Sequence, residues 1–109
     1  MTTILPLDAN HVPLPALRLK DNGAHSVSAS TTSQRNTTSF DTQTQIISLY
    51  ATGPVYIRFG ASDVTATSSD HYFPEGIYYD FSVSGKEQLT HVAVIRANYD
   101  CDVFISEKC

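Results

Sequence analysis

Cysteine, basic charge, long apolar runs and helical periodicity are all scarce in this chain, and each shortage removes a class of protein. Two cysteines in 109 residues are too few for a disulfide-stapled secreted fold, which normally carries four or more. Cys101 opens a strand-like run and Cys109 stands eight residues later. Closing one strand on itself demands a sharp bend, so two free thiols are expected, as suits a reducing cytosol. Seven Lys and Arg against eleven Asp and Glu give a formal charge of −4. The basic residues are scattered from Arg18 to Lys108, which argues against a nucleic-acid partner. No apolar run approaches the ~20 residues of a membrane-spanning helix. The start, Met1-Thr2-Thr3-Ile4-Leu5-Pro6, lacks the basic segment of an export signal. A soluble protein that meets neither membrane nor nucleic acid is expected.

Catalytic and metal-binding patterns are missing too. His11, His25, His71 and His91 are spread along the chain, and none pairs with another histidine or a cysteine at zinc-ligand spacing. Asp63, Asp70, Asp100 and Asp102 place hard oxygens near loops, but without the spacing of a calcium loop. No serine lies in Gly-x-Ser-x-Gly and no Cys–His signature occurs. The expectation is no catalytic residue, no metal and no cofactor. Asn36-Thr37-Thr38 matches a glycosylation acceptor, which without a secretory signal reads as a chance match.

What is present is strand after strand. The runs are Gln45–Ala51, Val55–Phe59, Ile77–Val83, His91–Arg96 and Cys101–Ile105. Each is short, rich in β-branched and aromatic residues, and bounded by turn formers. Gly53-Pro54, Pro74-Glu75-Gly76, Ser84-Gly85-Lys86 and Asn98-Tyr99-Asp100 punctuate them, and Gly60 and Gly76 suit backbone of positive φ. Asp21-Asn22-Gly23 reads as a turn joining an edge strand at Ala16–Lys20 to one at His25–Ser30. The Ser/Thr-rich stretch from Ser26 to Thr44 alternates well enough for two polar strands joined at Thr31–Ser33, and Val64–Thr67 can add a short one. One domain fits this length. The expected fold is all-β, a single β-sandwich, namely a jelly roll of about eight strands over residues 21–109.

Residues 1–20 differ. Pro6, Pro13 and Pro15 are interleaved with Ile4, Leu5, Leu7, Val12 and Leu14. That proline density excludes a helix or central strand and leaves an extended N-terminal arm. Its apolar residues must be buried either on the parent domain or on a neighbouring subunit or partner. A second candidate surface comes from the tyrosines, Tyr50, Tyr56, Tyr72, Tyr78, Tyr79 and Tyr99. If Val55, Ile57 and Phe59 face the core, Tyr56 and Arg58 face out. Likewise Tyr78 and Asp80 lie opposite Ile77, Tyr79, Phe81 and Val83. Exposed tyrosines serve as sugar-stacking rings or interface anchors, so Tyr56 and Tyr78 join the arm residues as candidate interaction positions.

The segment Val55-Tyr56-Ile57-Arg58-Phe59-Gly60-Ala61-Ser62-Asp63-Val64-Thr65-Ala66-Thr67, followed by Ser69-Asp70-His71-Tyr72-Phe73-Pro74-Glu75-Gly76, resembles small virion proteins encoded near the capsid genes of tailed bacteriophages and prophages. The runs His91–Arg96 and Asp102–Ser106 are similar to theirs, so the resemblance spans about Gln45 to Ser106. In size and acidity the chain looks most like the capsid decoration (cement or staple) proteins of short-tailed phages such as epsilon15. The resemblance implies a non-enzymatic structural protein made in the bacterial host cytoplasm and carried on the capsid surface. Its implied partners are the major capsid protein and further copies of itself, as a dimer or trimer. A carbohydrate-binding sandwich of a tail or fibre, or a head–tail or tail accessory protein, is the alternative.

Deleting residues 1–15 is expected to leave a folded sandwich with nearly unchanged melting temperature but weaker self-association or particle binding. Circular dichroism and sedimentation of the truncated chain check this, and failure to fold would return the arm to the core.

Overall fold

A computed structural model describes residues 17–108. Eight strands run through them: β1 (Leu19–Ala29), β2 (Gln34–Arg35), β3 (Ile46–Ala51), β4 (Val55–Gly60), β5 (His71–Phe73), β6 (Tyr78–Ser82), β7 (His91–Arg96) and β8 (Cys101–Lys108). They form two antiparallel four-stranded sheets, ordered β1-β8-β3-β6 and β2-β7-β4-β5. Among these strands only β4 and β5 are successive members of one sheet; every other connection crosses between sheets. This is the jelly-roll order expected from the sequence.

The period-2 alternation decides which side chains meet between the sheets. Ile47, Leu49 and Ala51 of β3 face Val55 and Ile57 of β4, Val92 and Val94 of β7, and Val103 and Ile105 of β8 across one core. Val27, Ala29, Phe40, Phe73 and Val83 close it. β-Branched residues dominate because their stiff χ1 packs well on a pleated surface. Phe59 and Phe81 are only partly buried; they pack on the core's flank with centroids 5.3 Å apart. Tyr79 stays exposed although it pairs with inward-facing Leu49, on a strand at the edge of the sheet; Ile77, also exposed, precedes β6.

Several local expectations change. Asp21-Asn22-Gly23 does not join two strands. It is a bulge inside β1, with Asn22 at φ 61° and a register shift against β8 between Leu19 and Ala24. Turn chemistry and bulge chemistry both need positive φ, so the same residues serve either. The strand domain accordingly begins at Leu19, inside the 1–20 segment read as arm. The polar strands β1 and β2 are not a hairpin, since Ser30–Ser33 carries the chain from one sheet to the other. Val64–Thr67 forms no strand: the loop 61–70 lies over the outer face of the second sheet and buries Val64 and Ala66 on Ala93 and Ile95. Gly60 serves that loop by close approach, because a Cβ there would come within 2.9 Å of the Val64 side chain. Gly76 does take positive φ, 76°.

Cys101 is a free, partly buried thiol; Cys109 lies outside the described residues, as does the arm up to residue 16 with Pro6, Pro13 and Pro15.

Leu49 is fully buried, so Leu49→Ala should lower unfolding free energy by about 2–5 kcal/mol through lost transfer energy and a residual cavity. Tyr79→Ala on the edge strand should stay within about 1 kcal/mol. Urea midpoints compare the two.

Candidate interaction face

The outer faces of the two sheets differ sharply. On the second sheet, the loop 61–70 is tied down: Arg35 Nη1 donates to the Val64 carbonyl at 3.3 Å, and Ala66 N–H donates to Ser33 Oγ at 2.8 Å. Thr67 N–H closes the loop on Asp70 Oδ2 at 2.7 Å. What this leaves is the β4–β5 side, where Tyr56 pairs with Tyr72 in register. Their centroids are 5.7 Å apart with planes at 67°, so an edge of one ring meets the other.

On the first sheet, register places Ser26, Phe104, Tyr50 and Tyr78 in one row across β1, β8, β3 and β6. Successive strands lie about 4.8 Å apart, so three aromatic rings span about 10 Å on one flat face. Phe104 is 46% exposed and Tyr78 is 55% exposed. Tyr50 and Tyr78 lie with centroids 6.4 Å apart at a 38° tilt. The Lys108 ammonium stands 5.4 Å from the Tyr78 centroid and donates to Asp80 Oδ1 at 2.9 Å. Ser48 Oγ also donates to that oxygen. The Ser48 hydrogen bond, then Lys108, holds the Asp80 carboxyl below its ordinary value. A rim of fixed polar groups therefore borders an apolar row, the arrangement of a protein interface core and its rim.

Of the sequence candidates, Tyr56 is half-buried on the outer face of the second sheet and Tyr78 is exposed on that of the first. The fold places them on opposite sides of the sandwich rather than in one site. Ile4, Leu5, Leu7, Val12 and Leu14 lie outside the described residues. Phe104 was missed by the sequence reading. Its signal was present: Val103 and Ile105 face in, so Phe104 must face out.

One histidine–carboxylate pair invites a catalytic reading. His25 Nε2 donates to Glu107 Oε2 at 2.7 Å. Glu107 Oε1 accepts from Thr44 Oγ1 at 2.6 Å and from Asp41 N–H at 2.8 Å. Both side chains are nearly fully buried, and His25 packs edge-on against Phe40 with centroids 5.2 Å apart. Both carboxylate oxygens are thus engaged by protein donors, an anchoring arrangement. Among the described residues no group of three or more His, Cys, Asp or Glu is placed to hold a metal.

Compared with family models, with curated proteins and with solved structures, the chain finds no match.

Burial raises the Glu107 pKa, but the hydrogen bonds from Thr44, His25 and the Asp41 amide outweigh it and hold the carboxyl below its ordinary 4.5. A folded-state pKa below the unfolded one stabilises the fold above pH 4.5, and that contribution disappears as pH falls through the folded value. Glu107→Gln should therefore cost about 1–3 kcal/mol near neutral pH. The gap to the parent chain should narrow in acid. Urea midpoints measured from pH 7 downward give both results.

Proposed function

We propose that this chain is a non-enzymatic structural protein of a tailed-phage virion, a decoration or cement protein that docks on the outer capsid shell. The observation that carries the docking half is the Phe104–Tyr50–Tyr78 row on the outer face of the first sheet, in which Phe104 and Tyr78 are exposed and Tyr50 is half-buried. The virion half rests on the resemblance of the Val55–Gly76 segment and its flanking strands. Aromatic anchors of this size contribute most when a partner removes them from water, with about 1.5–3 kcal/mol per fully covered large apolar side chain. Repeated sites on a shell add avidity, so a modest contact per copy suffices. A homo-oligomer, dimer or trimer, presents several such faces together. The major capsid protein is the proposed partner, and the chain is made in the host cytoplasm before it joins the particle.

A glycan-binding reading draws on Tyr56 and Tyr72, which do share a patch. Rings at 67° do not offer two coplanar platforms for a sugar, which favours the protein-docking reading.

Phe104→Ser and Tyr78→Ser should each weaken binding to shells prepared without this protein by about 1–3 kcal/mol. Melting should change little, because both rings lie outside the core. Co-sedimentation, with cryo-electron microscopy to locate the bound copies, checks this. Undiminished binding by the double variant would remove the sheet face from the contact.

A further inference from the structure

In a chain with eleven acidic residues, a polar cleft without a carboxylate stands out. One such cleft, of about 420 Å³, opens beside β2, the start of β7 and the loop after β4; Arg35, Thr37, Ser62 and His91 are among its lining residues, none of which is acidic. The neighbouring cleft beside Arg58 includes Asp63 in its wall, so its positive charge is offset locally. The first cleft has no such offset.

His91 is only 7% exposed, yet it lines this space. Its Nδ1 lies 2.8 Å from Thr90 Oγ1; Nε2 makes no hydrogen bond among the described residues, and since no buried side-chain polar atom there lacks a partner, it reaches solvent. The solvent it reaches is that of the cleft, since His91 lines it, so Nε2 is free to pair with whatever enters there. Burial first, then the nearby Arg35 and His25, holds the His91 pKa below 6.5. That shift favours the neutral imidazole, which offers one N–H. When Thr90 Oγ1 donates to Nδ1, that N–H is on Nε2.

Arg35 is placed by a different contact. One guanidinium nitrogen donates to Val64 O at 3.3 Å, which fixes the side chain and leaves the other N–H groups free of any carboxylate among the described residues. Asn36 makes the wall rigid. Its Oδ1 accepts from Val92 N–H at 2.9 Å, and its Nδ2 donates to the carbonyls of Thr38 and Thr90 at 2.7 and 3.3 Å. Asn36 is thus fully used, and its neighbours on either side, Arg35 and Thr37, are held at the cleft.

We propose that this cleft binds an oxyanion, a carboxylate or phosphate group, gripped by the Arg35 guanidinium and the His91 Nε2–H with the Thr37 and Ser62 hydroxyls completing the shell. Guanidinium donors match either oxyanion in geometry and charge. The proposal is independent of shell docking, since the cleft belongs to the other sheet.

Nuclear magnetic resonance titration of the full chain with inorganic phosphate, and separately with glucuronate, tests it. Saturable shifts of the His91 ring and of the Thr37 and Ser62 amides are expected with at least one probe. A response to phosphate alone identifies a tetrahedral anion, and one to glucuronate alone identifies a carboxylate; either supports the site. Arg35→Gln, an exposed substitution that should fold, is expected to weaken the responding probe by about tenfold or more, the loss of a charge-assisted hydrogen bond. No saturable shift with either probe, or equal affinity in Arg35→Gln, would overturn the proposal.

Discussion

A buried carboxylate near the end of β8 ties together elements that the chain reaches far apart in sequence. Glu107 takes donors from β1 through His25 and from the β2–β3 connection through Thr44 and the Asp41 amide. A buried charge left without such donors costs several kcal/mol, so each of these elements must be in place for the others to be tolerated. The bulge in β1 belongs to the same constraint. Gly23 lies directly over Glu107, and a Cβ there would approach the Glu107 Cβ to 2.9 Å. One polar group thus dictates a backbone irregularity on the neighbouring strand and the position of the segment that leads into β3.

Among the described residues, one side of the sandwich is covered by a loop and the other is not. On the second sheet, the loop 61–70 is hydrogen-bonded down and buries small apolar residues on Ala93. On the first sheet, Phe104, Tyr50 and Tyr78 stand in one row with no covering loop among the described residues. Large apolar rings aligned on a flat face are what a partner must supply area against, whereas singly scattered ones need no explanation. The covered sheet retains instead a small polar cleft. The two proposed contacts therefore sit on opposite faces and use opposite chemistry.

Strand identity and strand face were legible because alternation is a local property. Ile57 in and Tyr56 out follow from four or five consecutive residues, and so does Phe104 out between Val103 and Ile105. Sheet membership was not legible. Nothing near Tyr56 or Tyr78 says that β4 and β6 belong to different sheets, since that depends on β8 entering between β1 and β3. The cleft was hidden for the same reason, because Arg35 and His91 meet only when β2 pairs with β7. Asp21-Asn22-Gly23 shows a different limit. Its preference for positive φ was readable, but whether the chain reverses or merely bulges is decided by β8, which lies some eighty residues away.

The order β1-β8-β3 also sets a timetable for synthesis. β8 is the last of these strands to leave the ribosome, yet it occupies an interior position of its sheet. Until it emerges, β1 and β3 each lack the neighbour they will share, and the inward faces of Val27 and Leu49 have no complete core to enter. Productive pairing of that sheet must await the last strand, and distant pairings of this kind fold slowly. During that interval the nascent chain carries apolar, half-paired strands, which are prone to pair with another copy.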